Sequence, residues 1–169
     1  LLFGSAHYVF RTKGDDSRPV AVDVMERTIV ARPGDGTAAV TLLVADVMGF
    51  SELSNRVAAP ELSRAMSGWC GHVRSVLQNH GAHIDKFIGD CVFAWWHGTG
   101  AAVKSRAAHA GSLLAGGFPE TGLPDGATLR CGVGLHAGEA ALSRLGPSSY
   151  TLLGAEVNFV FRLESLTRR

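Results

Sequence analysis

The stretch AAVTLLVAD, residues 38 to 46, is apolar except for one threonine and a closing aspartate. Such a run has no polar side to offer water, so it reads as a buried strand in the middle of a sheet. Its neighbours must come from elsewhere in the chain. The segment HIDKFIGDCVFAWW, residues 83 to 96, supplies two more apolar strands folded about a Gly89–Asp90 turn. Gly tolerates positive φ and Asp bonds its own backbone, so this pair suits a two-residue hairpin.

The remaining elements follow from periodicity. Gly49 to Arg56 reads as a short helix. Pro60 opens a long one, in which Leu62, Met66, Trp69, Val73, Val76 and Leu77 recur at three- and four-residue steps until Gly81. Val103, Ala107, Ala110 and Leu114 mark another helix. Leu129, Cys131, Val133 and Leu135 alternate with small or polar residues, as in a half-buried strand, and Ala140 to Leu145 reads as one more. GAEVNFVFRLESL forms a closing helix with Val157, Phe161 and Leu166 inward. A hairpin mixed with crossover helices implies an α+β fold, a mixed or antiparallel sheet with helices packed on one face. Residues 1 to 36 form a flanking segment whose AVDVMERTIVA stretch suits strand or helix, and residues 37 to 169 form the main domain.

Composition excludes several classes. In 169 residues, 46% are hydrophobic and 18% charged, enough for a sizeable core. Sixteen basic and 15 acidic residues leave a net charge of +1 without blocks of one sign, which argues against nucleic-acid or membrane-surface binding. No apolar run reaches the length of a membrane span. Cys70, Cys91 and Cys131 lack disulfide-like or metal-like spacing, so a reducing, cytoplasmic setting fits them. The chain starts without Met and ends abruptly at TRR, as a fragment of a longer protein would.

Several residues are candidates for chemistry, each with a plainer alternative. Asp46 closes the central strand and Asp90 sits on the hairpin. If those strands are neighbours, both carboxylates meet at one edge and suit a hard cation such as Mg²⁺. Otherwise Asp46 caps the following helix and Asp90 serves its turn. Lys86 is out of place among Ile84, Phe87 and Ile88 unless its head reaches solvent or a ligand. Asn158 and Arg162 stand one helical turn apart and could bind sugar oxygens and a phosphate, or simply form a solvated face. Thr151 alone is an ordinary strand residue. His83, His97 and His136 share no metal-ligand spacing, and Trp69, Trp95 and Trp96 read as core or interface residues.

Four segments, VTLLVADVMGFSEL (40–53), GAHIDKFIGDCVFAWW (81–96), LRCGVGLHAGEA (129–140) and YTLLGAEVNFVFRLESL (150–166), closely resemble the catalytic domain of class III nucleotide cyclases. They occur in that family's order over roughly residues 38 to 167. The resemblance implies a ferredoxin-like sandwich acting as a head-to-tail homodimer whose active sites are each shared between two chains. By it, Asp46, Asp90 and the Val47 carbonyl would hold two Mg²⁺ or Mn²⁺ ions. Lys86, from the opposite chain, would read the base beside Thr151, a threonine found in a subgroup of bacterial adenylyl cyclases where other members have Asp. Asn158 and Arg162 would orient the ribose and stabilise the transition state.

ATP is the expected substrate, because adenine N1 accepts a hydrogen bond from Lys86 whereas guanine N1 carries a hydrogen. Guanylyl members resemble this expectation, with Glu where this chain has Lys86. Ala155 departs from the family, which commonly has an acid after that glycine, and the family's later strands and triphosphate-binding basic residue are missing. LLFGSAHYVFR faintly resembles the last strand of a forkhead-associated domain. The competing readings are a catalytically inactive, cyclase-like dimerisation domain and a diguanylate cyclase or polymerase palm; the last shares the paired acids but not the Asn158/Arg162 helix.

Overall fold

The computed structural model describes residues 21–22, 29–30, 37–123, 126–146 and 149–168. Strands β1 (Ala21–Val22) and β2 (Ile29–Val30) pair antiparallel, so the stretch left open between strand and helix contributes strand at both ends. The segment resembling a forkhead-associated strand lies outside the described residues. The main sheet contains β3 (Thr37–Val47), β4 (His83–Ile88), β5 (Cys91–His97), β6 (Cys131–Gly146) and β7 (Ser149–Leu153) in the order β4-β5-β3-β6-β7. Every pairing in it is antiparallel. Among the described residues four α-helices accompany it: α1 (Phe50–Arg56), α2 (Ala59–Asn79), α3 (Ala101–Gly116) and α4 (Ala155–Ser165).

Strand β3 is central, as its apolar run requires. From Ala39 to Val47 it is buried throughout. On one face Leu43, Ala45 and Val47 join Val92, Ala94, Trp96 and Leu135. Against them pack Ala65, Trp69, Val73 and Leu77 of α2 and Ala107, Ala110 and Leu114 of α3. On the other face Val40, Leu42, Val44, Phe93 and Trp95 meet Val160 of α4, with Val157 and Phe161 at its border. Helices therefore cover both faces, not one as the element order implied. Burying each large side chain is worth about 1.5–3 kcal/mol, so both layers matter to stability.

Helix α2 follows its sequence signals closely. Pro60 lies in its first turn, and Gly81 takes φ 75° just beyond its end. There the Gly81 and Ala82 amides donate to the Gln78 and Leu77 carbonyls, closing a Schellman cap. The C-terminal third departs from expectation. Residues 140 to 145 are no separate strand but continue β6, and the last strand is β7. Nor is β6 half-exposed: its small residues face α4. A Cβ on Gly134 would stand 2.6 Å from the Glu164 nitrogen and 2.7 Å from the Val160 oxygen, and one on Gly138 would meet Glu156. Glycine lets helix backbone lie directly on strand backbone. In α4 itself Val160 and Glu164 are the buried residues, whereas Leu166, expected inward, is exposed in the 3-10 turn that follows.

The sheet also curls. Its outermost strands, β4 and β7, meet through Lys86 Nζ donating to Thr151 Oγ1 at 3.0 Å. The architecture is α+β with an antiparallel sheet flanked by helices, as expected, but the sheet is nearly closed rather than an open ferredoxin-like sandwich.

Because α4 rests on the bare backbone of β6, Gly134→Ala should destabilise the domain by about 1–3 kcal/mol through overpacking. Gly71→Ala, where nothing lies within 4 Å, should not. Urea denaturation midpoints of the two variants check this.

Candidate active site

The site begins where β3 ends. Asp46 pairs with Cys91 on one side and Gly132 on the other, so the first residue of β5 lies beside it. Gly89, at φ 63°, and Asp90 make the hairpin turn, and the Val47 amide donates to the Asp90 carbonyl at 3.1 Å. That bond locks the turn to the end of β3 and brings the two aspartates to one corner of the sheet. Asp46 is not the cap of α1: that position belongs to Gly49, which makes no side-chain capping bond. Asp46 is buried and Asp90 half-buried. Met48 and Ile88, beside them, are each 51% exposed, an apolar rim around an acidic corner.

Cys131 reports on that corner. Its thiol is pushed up to about 12, chiefly by burial, with the nearby Asp46, Glu164 and Asp90 carboxylates adding to the shift. The Trp69 indole N–H, donating to Cys131 Sγ at 3.3 Å, opposes it. Both aspartates therefore act on one buried atom.

Lys86 and Thr151 are brought together at the opposite edges of the curled sheet. The Lys86 side chain is 41% exposed, so this strand position does not bury it. A third residue joins them. Asp85 Oδ2 lies 3.0 Å from Lys86 Nζ and accepts from Thr151 Oγ1 at 3.0 Å. Consecutive strand residues normally face opposite sides, but the β4–β5 register slips between Ile84 and Lys86. The resulting bulge lets Asp85 and Lys86 both reach β7. Sequence reasoning missed Asp85 because simple alternation turns it away from Lys86; its adjacency to an anomalous lysine was the available signal.

Asn158 and Arg162 lie on α4, exposed on the side away from Val160 and Glu164. Neither side chain has a partner among the described residues. The chain thus groups the candidates in three: the Asp46–Asp90 corner, the Asp85–Lys86–Thr151 cluster, and the Asn158–Arg162 face. His136, read from the sequence as sharing no metal-ligand spacing, is a buried strand residue that pairs closely with the half-buried Glu156 of α4, and its ring lies 4.8 Å from Phe159. This pair ties the helix to β6. Trp69, Trp95 and Trp96 are all core residues, the last donating to the His80 carbonyl at 2.8 Å.

The acidic corner fits a hard divalent cation in its chemistry, since it offers carboxylate oxygens and adjacent backbone carbonyls. No group of three His, Cys, Asp or Glu suited to a metal occurs among the described residues. A cation there would rest on Asp46 and Asp90 and complete its shell with the Val47 carbonyl, water or phosphate. Among the described residues no helix is long and apolar enough to cross a membrane.

Comparison with known proteins bears on the family and the fold. No protein-family model matches the chain. The adenylate cyclase of Anabaena cylindrica is 26% identical over 147 residues, spanning 79% of this chain and 28% of that protein. The photoactivated adenylate cyclase subunit beta of Euglena longa is 30% identical over 138 residues, or 76% of this chain and 16% of that protein. The chain thus spans less than a third of these curated relatives. Among solved structures, a bacterial light-regulated adenylyl cyclase superposes with a TM-score of 0.65 at 26% identity, over 79% of this chain and 72% of that one. A guanylyl cyclase does so at 0.61 and 25%, over 78% and 71%. The chain carries a class III nucleotide-cyclase-like catalytic domain, of the superfamily that includes adenylyl and guanylyl cyclases. The likeness reaches both kinds.

Burial makes Cys131 a test of the packing at this corner. With its thiol pushed up to about 12, against an ordinary 9.0, alkylation at pH 8 should be at least about a hundredfold slower in the folded protein than in the unfolded chain. Mass spectrometry of timed iodoacetamide labelling, with and without denaturant, reads this directly.

Proposed function

We propose that the domain is an adenylyl cyclase, converting ATP to 3′,5′-cyclic AMP and pyrophosphate with Mg²⁺ or Mn²⁺ at a site shared between two chains in a head-to-tail homodimer. The observation that carries the reading is the Lys86–Thr151 pair, a partly exposed cation held beside a hydroxyl where the resembling cyclases read the base. Known relatives include adenylyl and guanylyl cyclases, so the choice of nucleotide is argued from this chain's own residues. A lysine donates and cannot accept, which suits adenine N1 and opposes the N1–H of guanine. Thr151 aligns this chain with the threonine-bearing bacterial subgroup. Three cysteines without disulfide-like spacing suit a cytoplasmic setting.

Asp46 and Asp90 would hold the ions through their carboxylates, with the Val47 carbonyl as a further ligand. Divalent cations bound there would activate the attacking 3′-oxygen and neutralise the departing pyrophosphate. Asn158 would orient the ribose by its amide, and Arg162 would place its guanidinium on the charge that develops at the α-phosphate during in-line attack. Lys86 would fix the base, so that the 3′-hydroxyl faces the phosphorus; positioning and charge, not covalent chemistry, would supply the rate.

Three features support sharing between chains. Lys86 is engaged with Asp85 and Thr151 rather than with the Asp46–Asp90 corner, and Asn158 and Arg162 project from α4 without partners among the described residues. The exposed Met48 and Ile88 also give the acidic corner an apolar rim that a second copy can cover.

In the full-length protein, Asp46→Ala and Asp90→Ala should each lower cyclic AMP formation more than about tenfold, a loss above 1.4 kcal/mol, while the fold is kept. Retention of more than a tenth of the activity by either variant would remove the metal assignment. Sharing has its own check. Mixed Asp46→Ala and Arg162→Ala chains, each inactive alone, should regain about a quarter of wild-type activity by random pairing into dimers with one intact site. No recovery in demonstrated heterodimers would put the whole site within one chain. Formation of neither cyclic AMP nor cyclic GMP by the wild-type protein would favour an inactive, regulatory domain.

A further inference from the structure

We propose that Asp85 is a positioning residue that sets the hydrogen-bond polarity of Thr151, and through it the preference for adenine over guanine; this rests on the cyclase reading above. A threonine hydroxyl is ambiguous, able to donate one bond and accept two. Alone, it would tolerate either the 6-amino group of adenine, a donor, or the 6-oxo group of guanine, an acceptor. The cluster in this chain removes the ambiguity. Asp85 carboxylate can only accept and Lys86 ammonium can only donate. Thr151 Oγ1 lies 3.0 Å from each of Asp85 Oδ2 and Lys86 Nζ, so its proton goes to Asp85 and one of its lone pairs faces Lys86.

The remaining lone pair is an acceptor with no hydrogen to give. It suits the adenine 6-amino group and meets guanine O6 lone pair to lone pair. Asp85 and Thr151 together thus do what one carboxylate would do, with the hydroxyl relaying the acceptor character by one atom. Two structural facts make the arrangement firm. The Asp85 side chain is only 2% exposed, so water offers little competition for the Thr151 proton. The β-bulge between Ile84 and Lys86 is what puts acid and cation on the same side of β4. The Lys86–Asp85 contact also holds the ammonium beside the hydroxyl, and with one proton on each of Asp85 and Thr151 its third proton is left for the base.

Asparagine at position 85 would break the relay, because its amide can donate to Thr151 and free the hydroxyl proton for O6. The test compares wild type, Asp85→Asn and Asp85→Asn/Thr151→Asp in the full-length protein. Substrates are ATP, GTP and purine riboside triphosphate, which keeps N1 but lacks the 6-amino group. In Asp85→Asn, the ratio of kcat/KM for ATP to that for GTP should fall by about tenfold or more, as expected where a site built for a hydrogen bond loses its match. Its kcat/KM for purine riboside triphosphate should fall clearly less than that for ATP, because that substrate has no 6-amino group to lose and any loss it shows comes from the Asp85–Lys86 contact alone. The double variant should recover the ATP preference, since a carboxylate at 151 accepts without help. If Asp85→Asn does not fold, the double variant, which keeps one carboxylate in the cluster, decides alone.

An unchanged ATP-to-GTP ratio in folded Asp85→Asn overturns the proposal. So does an equal loss with ATP and purine riboside triphosphate, which would make Asp85 merely a support for Lys86 or the fold. A double variant without ATP preference also overturns it. Wild-type protein inactive on all three substrates overturns the cyclase reading itself, and this proposal falls with it; activity in wild type separates the two failures.

Discussion

The double-sided pairing of β3 is the constraint on which the rest depends. A strand with no polar face must be enclosed by neighbours at both edges and by layers on both faces, and this one is. Its register with β5 and β6 fixes where each side chain of those strands falls, because a one-residue slip would reverse the faces. Asp46 stands beside Cys91 only in this register, and the Val47–Asp90 bond can close only there. The acidic corner is thus a by-product of how the core is enclosed. A polar site has been set at the end of the most apolar strand, where burial is available and water can still approach from the turn.

Glycine plays the corresponding part on the opposite side. The alternate small residues of β6 give α4 a nearly flat bed, so the helix bearing Asn158 and Arg162 is held by backbone contact and by the His136–Glu156 pair. A firmly seated helix fixes where the Asn158 and Arg162 backbones stand and leaves their exposed side chains free to choose a rotamer.

Much of this was legible in the sequence because burial leaves a periodic trace. The AAVTLLVAD strand, the Trp69–Val73–Leu77 stripe and the Gly89–Asp90 turn all announced themselves, and the meeting of Asp46 and Asp90 followed once those strands were taken as neighbours. What was hidden had small or displaced signals. The face of β6 that carries Gly132, Gly134 and Gly138 looked half-exposed, since glycine does not distinguish a surface from a tight helix contact. Glu164 is buried where a polar residue suggested the outside, and Leu166 is exposed where an apolar one suggested the inside. Asp85 was concealed by a bulge, a change of register that alternation cannot express. Curling of the sheet was equally unreadable: it depends on contacts between strands more than sixty residues apart.

The short path from β7 into α4 has a mechanical consequence. Thr151 is separated from Gly154 by Leu152 and Leu153 alone, and the carbonyl of Gly154 accepts from the backbone N–H of Asn158 at 3.4 Å. One continuous piece of backbone therefore runs from the hydroxyl gripped by β4 to the first turn of the helix that displays Asn158 and Arg162. Gly154 itself, at φ 147°, is a conformation other residues resist, so the joint between the two parts is a defined corner rather than a slack tether. Any shift of β7 against β4 must be absorbed within two leucines or passed on as a tilt at the start of the helix. The two ends of the segment behave as arms of one lever, with its fulcrum where α4 lies on Gly134.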